Sequence, residues 1–191
     1  NANILGYKIK HIGLSEISEG KLIQRINPCL IKKESRLSNV NGVLNAVIIE
    51  GEPIGKSVLQ GEGAGPGPTT SALVSDICSI LRGNLKYPFS VSYKKRKKIN
   101  SINISNQWFS NYIRLDVVDK KGVLSSITKI MSKNKISVKR LIQDSLKGKR
   151  YASIIVISHK AKNKNIVKCI NELNKKNFIL NHPKFIRIEE I

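Results

Sequence analysis

Alternation of apolar and polar residues marks four short segments in the first part of the chain. The pattern predicts β-strands at 3–12, 21–31, 42–50 and 54–60. The connections between them are short, and Gly51-Glu52-Pro53 forms the last turn. We therefore expect a mostly antiparallel sheet in this region.

A glycine-rich segment, Gly61–Pro68, follows the fourth predicted strand and precedes a helical pattern. The hydroxyl groups of Thr69–Ser71 are suited to capping the start of that helix. The apolar residues beyond them are spaced as the buried face of a helix: Ala72, Leu73, Ile77, Ile80 and Leu81. Gly83 stands where such a helix would end.

Residues 110–191 carry strand and helix patterns in the order β-α-β-β-α-β, the split ferredoxin-like arrangement. The predicted strands are 112–118, 136–143, 151–158 and 184–190, with helices at 123–133 and 163–176 and a hairpin turn at 144–149. Residues 86–109 have no persistent period and include the basic run Tyr93–Lys98, as expected of a linker. We therefore predict an α+β protein with domains at 1–85 and 110–191.

Charge is concentrated in the second half of the chain. The 191 residues have a formal net charge of +21, with 10 basic and 7 acidic residues over 1–92 but 24 and 6 over 93–191. A basic half favours a nucleic-acid partner. However, Lys outnumbers Arg by 26 to 8, and Lys, Ile and Asn, which AT-rich codons encode, are all abundant. We favour codon bias, with nucleic-acid binding as the alternative.

Several classes of protein are excluded by what the sequence lacks. No apolar run reaches the roughly 18 residues of a membrane span, so we expect no membrane partner. Cys29, Cys78 and Cys169 form no CxxC pair, which favours a reducing compartment, and no Cys/His set has metal-binding spacing. No catalytic set is recognisable either. Because the chain begins at Asn1 within strand-like sequence, we expect a piece of a longer protein.

Two turns between a strand and a helix are candidate binding sites. At Gly61–Pro68 the glycines allow a cofactor to approach the backbone closely, although a tightly packed structural turn has the same composition. At Asp119–Leu124 the backbone amides of a helix start suit a carboxylate, and Asp119 suits an α-amino group. The alternative there is an Asp that only caps the helix.

The ordered motifs Gly61–Gly65 and Pro68–Ala72 resemble homoserine dehydrogenase, and the resemblance covers residues 1–83. Further stretches of the same family pattern are Leu5–Lys10, Asn27-Pro28 and Asn45–Val47. Downstream, Arg114–Leu124 is similar to the start of an ACT domain, with Lys121 where the family usually has Pro.

The resemblance implies hydride transfer between L-homoserine and L-aspartate 4-semialdehyde with NADP or NAD. The resemblance also implies a place in threonine and methionine biosynthesis in the cytoplasm. It also implies a Rossmann domain and catalytic residues upstream of Asn1, so that these residues alone are inactive. Gly65 matches the family glycine that contacts the nicotinamide cofactor, with Gly63 and Ala64 beside it.

The ACT resemblance implies binding of a small amino acid, with L-threonine as the expected effector, in a homo-oligomer (dimer or tetramer). Asp119 and Ser137 match polar ligand positions in related ACT domains, while Gly122, Val123 and Leu124 supply the turn and its amides. A regulatory amino-acid-binding module without catalysis is the main alternative function.

Overall fold

The computed structural model describes residues 2–84, 91–145 and 151–191. Their strands are β1 (Tyr7–Ser18), β2 (Lys21–Lys32), β3 (Leu44–Gly51), β4 (Gly55–Glu62), β5 (Trp108–Val118), β6 (Val138–Ser145), β7 (Tyr151–Ser158), β8 (Ala161–Lys162) and β9 (Lys184–Glu189). Their α-helices are α1 (Pro66–Leu81), α2 (Val123–Lys133) and α3 (Asn163–Asn174). The chain forms two units, one of Asn1–Lys33 with Asn100–Ile191 and the other of Glu34–Ile99.

The larger unit is built on one sheet with the strand order β1-β2-β9-β5-β7-β6, and β8 pairs with β5. The pairings are antiparallel except that of β2 with β9, which is parallel over Cys29–Ile31 and Arg187–Glu189. Strands β5, β6, β7 and β9 with helices α2 and α3 complete the predicted βαββαβ order. The α+β fold class is therefore confirmed, and the β1–β2 hairpin extends the ferredoxin-like sheet.

Helices α2 and α3 pack on one face of this sheet. Their buried residues recur every three or four positions: Val123, Ile127, Ile130 and Met131 in α2, and Ile166, Cys169, Ile170 and Leu173 in α3. This spacing places them on a single helix face. Mostly β-branched residues of β5 and β7 meet them from the sheet: Ile113, Leu115, Val117, Ile154 and Val156.

The opposite face of the sheet has its own apolar cluster: Leu30, Tyr112, Ile155, Ile157 and Ile188. Ala2, Leu5 and Tyr7 pack against this cluster, so the start of the chain covers part of the sheet formed by its end. Residues far apart in sequence thus share one core.

The predicted domain division at 1–85, 86–109 and 110–191 differs from these structural units. The reason is the β2–β9 pairing, which joins the first 33 residues to the sheet of the last part of the chain. The predicted boundaries at 85 and 110 therefore describe regions of the sequence, and they stay a prediction. Residues 86–90 of the predicted linker and most of the predicted 144–149 turn lie outside the described residues.

The smaller unit contains the antiparallel β3–β4 hairpin followed by α1. Gly83 ends this helix as predicted, with a φ of 72°. Its amide donates to the Ile80 carbonyl at 2.9 Å, and the Asn84 amide donates to the Ser79 carbonyl at 3.0 Å. These two bonds form a Schellman motif, which satisfies carbonyl groups at the helix end.

Two expectations for α1 are wrong. The predicted buried face is exposed at every position: Ala72, Leu73, Ile77, Ile80 and Leu81. The helix forms, but the described residues of its unit provide no second layer to cover its apolar side. Thr69–Ser71 do not cap it either, because the helix begins earlier, with Gly65 as N-cap and Pro66 at its first position.

The difference between the two helices is testable by mutation. Ile127→Ala should lower the free energy of unfolding by about 3 kcal/mol, because Ile127 is fully buried in the core. Ile77→Ala, the matched control in α1, should change it by less than about 0.5 kcal/mol, since Ile77 is 55% exposed. Urea denaturation followed by circular dichroism measures both. Equal losses would contradict the described packing.

Candidate functional site

The first candidate site is the glycine turn between β4 and α1. Gly65 has a φ of 126°, a left-handed conformation that side-chain-bearing residues rarely adopt. A Cβ at Gly63 would collide with the side-chain amide of Asn45, which is exposed and would have to shift to make room. The sequence predicted both glycines as special but could not distinguish backbone strain at one from crowding at the other.

The start of α1 offers few free backbone amides to a ligand. A helix start binds anions through free amides, but Pro66 and Pro68 have none, and the Thr69 amide donates to the Gly65 carbonyl at 3.2 Å. Among the first four residues of α1, this leaves only the Gly67 amide for a ligand. The backbone from Gly61 to Gly67 is exposed. The turn therefore offers close contact with a planar ring or a sugar.

The second candidate site is the turn from β5 to α2. Gly122 is the N-cap of α2, with a φ of 84°, so the alternative in which Asp119 caps the helix is wrong. The carbonyl of Gly122 accepts from the amide and the hydroxyl of Ser126, at 3.0 and 2.9 Å. The amide of Val123 donates to the Lys120 carbonyl at 3.3 Å.

This arrangement leaves complementary groups for a zwitterion. The amides of Leu124 and Ser125, in the first turn of α2, donate to no group within the described residues. The carboxylate of Asp119 is exposed at the end of the preceding strand. Amides and helix dipole favour a carboxylate, while Asp119 favours an ammonium group. The Ser125 amide was missed by motif matching, although its place in the first helical turn could have identified it.

Ser137 lies at the other end of the sheet from this turn. Strand β5 ends at Val118, which pairs with Tyr151 at the start of β7, whereas Val138 pairs with Ser158 at the end of β7. The eight residues of β7 therefore separate Ser137 from the Asp119 turn by roughly 20 Å. One chain alone does not bring the two predicted ligand positions together.

The two buried cysteines, Cys29 and Cys169, are not candidates for nucleophilic chemistry. Burial raises the pKa of the Cys29 thiol to about 11, and burial raises that of Cys169 to about 12. Both thiols therefore stay protonated near neutral pH, where only a thiolate is reactive. Among the described residues, no group of three or more His, Cys, Asp and Glu is arranged to hold a metal. None of the described helices has the length and apolarity needed to cross a membrane.

Comparison with known proteins identifies both parts of the chain. Residues 1–78 match the homoserine dehydrogenase family, and residues 111–176 match the ACT domain family. A homoserine dehydrogenase of Helicobacter pylori is 33% identical over 188 residues, covering 98% of this chain and 44% of the relative. One of Pseudomonas aeruginosa is 28% identical, covering 100% of this chain and 45% of the relative.

Solved structures agree with the sequence matches. The crystal structure of a homoserine dehydrogenase from Thiobacillus denitrificans has a TM-score of 0.86 and 28% identity, over 99% of this chain and 44% of that one. The chain thus spans under half the length of the relatives it matches. Its first part is similar to part of an oxidoreductase, and its last part is similar to a regulatory amino-acid-binding fold. Specifically, residues 1–78 match homoserine dehydrogenase and residues 111–176 match an ACT domain, which confirms the resemblance.

The free energy of unfolding should depend on the buried thiols of Cys29 and Cys169 at alkaline pH. Because their pKa is higher in the folded state than the ordinary value of 9.0, the unfolded state loses these protons first. The free energy of unfolding should be insensitive to the thiols below about pH 9 and fall as pH rises towards about pH 11. Urea denaturation at several pH values measures this slope.

Cys29→Ala should flatten that alkaline slope, and Cys78→Ala, which changes a half-buried side chain of α1, is the matched control. An alkaline slope that is unchanged in Cys29→Ala would contradict the assigned environment of Cys29.

Proposed function

We propose that this chain is part of a homoserine dehydrogenase, an oxidoreductase that interconverts L-homoserine and L-aspartate 4-semialdehyde with NADP or NAD. The observation that carries the proposal is the family match of residues 1–78, supported by the TM-score of 0.86 to a homoserine dehydrogenase over 99% of the chain. The corresponding biological role is threonine and methionine biosynthesis in the cytoplasm.

The proposed contribution of this chain to catalysis is to hold the cofactor. The nicotinamide cofactor supplies or accepts the hydride when bound. The turn at Gly63–Gly65 would lie against it through exposed backbone, with Gly65 in the conformation that only glycine adopts without strain. Because only the Gly67 amide remains for a ligand among the first four residues of α1, contact with the nicotinamide or its ribose is favoured over contact with phosphate. Gly63 and Ala64 would shape the same wall.

The ACT domain is proposed to bind an amino acid, L-threonine, at the Asp119–Leu124 turn. The carboxylate would meet the Leu124 and Ser125 amides, and the ammonium group would meet Asp119. Ser137 can join such a site only from a second copy of the chain, because it lies a full strand away in the same copy. A homo-oligomer with effector sites between copies follows from this proposal.

A first test measures activity. The isolated chain should show no aspartate-semialdehyde-dependent oxidation of NADPH, because its described residues hold no catalytic acid–base set. A chimera that joins the rest of the Helicobacter pylori relative to this chain should turn over. In it, Gly65→Ala should raise the KM for NADPH by about tenfold, because a Cβ strains the turn at the cofactor.

Gly61→Ala is the control for that test, since a Cβ there meets open space and its φ is unstrained. Turnover by the isolated chain, or an unchanged KM in Gly65→Ala, would refute the corresponding part of the proposal. A chimera that binds amino acids but never turns over would favour the regulatory module without catalysis.

A second test measures effector binding by calorimetry. L-threonine should bind the isolated chain, and Asp119→Ala should weaken binding by about tenfold, since it removes a charge-assisted partner of the ammonium group. Asp76→Ala, on exposed α1, is the matched control and should leave binding unchanged. Binding that is insensitive to Asp119→Ala would place the effector elsewhere.

A further inference from the structure

A cluster of charged and aromatic side chains joins the β1–β2 hairpin to the ACT sheet. Arg25, on β2, donates from Nε and Nη2 to the two carboxylate oxygens of Glu189, on β9, at 3.1 and 2.7 Å. The two side chains are only 11% and 8% exposed. This paired geometry is the strongest form of an Arg–carboxylate contact. It fixes one side of the cluster.

Arg187 forms the other side and touches three elements. Its Nη1 donates to Asn27 on β2, and its Nη2 donates to Asn163, the first residue of α3, both at 3.2 Å. The guanidinium carbons of Arg25 and Arg187 lie 5.0 and 4.8 Å from the centre of the Phe109 ring, within cation–π range. Arg187 is therefore the one residue of the cluster that bonds to both the hairpin and α3.

The two sides of the cluster are unequal. The carboxylate of Glu189 pairs with Arg25 and not with Arg187, and the buried Nε of Arg187 has no partner within the described residues. Burial and the neighbouring Arg25 lower the pKa of Arg187. Arg187 thus holds the hairpin through a neutral amide, a weaker contact than the Arg25–Glu189 pair.

The hairpin depends on such contacts because its backbone attachment is short. Only Cys29–Ile31 pair with β9, although β1 and β2 are each twelve residues long. Near the hairpin turn, Leu22 exchanges two backbone hydrogen bonds with Asn100 and Ile102, at 3.0 and 2.9 Å. Between these two points, side chains hold β2 to the rest of the unit.

A continuous set of contacts leads from the proposed effector turn to Arg187. Helix α2 begins at that turn and ends beside Glu172 of α3, which accepts from Lys133 at 2.9 Å and from Asn134 at 3.0 Å. Helix α3 begins at Asn163, the partner of Arg187. A shift of α2 would therefore move α3, and through Asn163 it would change the hydrogen bond to Arg187.

We propose that Arg187 is a positioning residue through which the ACT domain holds the β1–β2 hairpin of the dehydrogenase region, and through which an amino-acid effector changes that hold. The effector part rests on the proposed function of the Asp119–Leu124 turn, whereas the hold itself does not. The proposal therefore has two arms that can fail separately.

Amide hydrogen exchange on the full chain tests the hold. Arg187→Met keeps the apolar stem near Phe109 but removes both hydrogen bonds, and amides of β1 and β2 should exchange about tenfold faster, which corresponds to about 1.4 kcal/mol. Asn27→Asp should slow the same amides, because a carboxylate pairs with Arg187 better than an amide does. Arg114→Met, which removes an Arg paired with Asp116 on the same sheet, should leave the hairpin unchanged.

The proposed hold on the hairpin is supported if amide exchange in β1 and β2 alone becomes faster in Arg187→Met and slower in Asn27→Asp. The hold is overturned if amide exchange in β5 and β7 accelerates as much as that in the hairpin, or if Asn27→Asp leaves hairpin exchange unchanged. For the effector arm, saturating L-threonine should change hairpin exchange in the unaltered chain but not in Arg187→Met, with similar binding to both. Threonine binding without a change in the hairpin overturns the coupling, whereas absence of threonine binding refutes the proposed effector and with it this arm.

Discussion

The parallel pairing of β2 with β9 is the constraint on which the larger unit depends. It spans only Cys29–Ile31 and Arg187–Glu189, yet it places a hairpin from the homoserine dehydrogenase region into the sheet of the ACT domain. The pairing is possible because Leu30 and Ile31 place apolar side chains on opposite faces of β2. Both side chains are fully buried, and that of Ile188 on β9 is buried as well. Without it, the two family regions would have separate cores.

This shared sheet gives the ACT fold a physical connection to the region that it is proposed to regulate. A regulatory domain joined only by a linker can move independently, whereas strands in one sheet share hydrogen bonds and side-chain contacts. The smaller unit is different, because the apolar side of α1 is exposed throughout its described residues. Its sequence is patterned for burial against another layer.

Local sequence patterns predicted some of the candidate site residues, but not the contacts between residues that are far apart in sequence. Asp119, Gly122 and Leu124 were identifiable because a strand-to-helix turn has a local pattern, and the structure places them in one turn. The Arg25–Glu189 and Arg187–Asn27 contacts were not predicted, since their partners lie about 160 residues apart and no local period links them. The position of Ser137 relative to Asp119 likewise depends on strand order rather than on spacing.

The sequence by itself determined the elements of the ACT fold. The bounds of α2 and β7 are the predicted ones, because each has an uninterrupted apolar period and a clear terminal signal. Tertiary structure alone decided which strands are neighbours and whether an apolar face is covered. Periodicity indicates that one side of α1 is apolar, but burial requires a second layer, and the described residues of its own unit do not provide one.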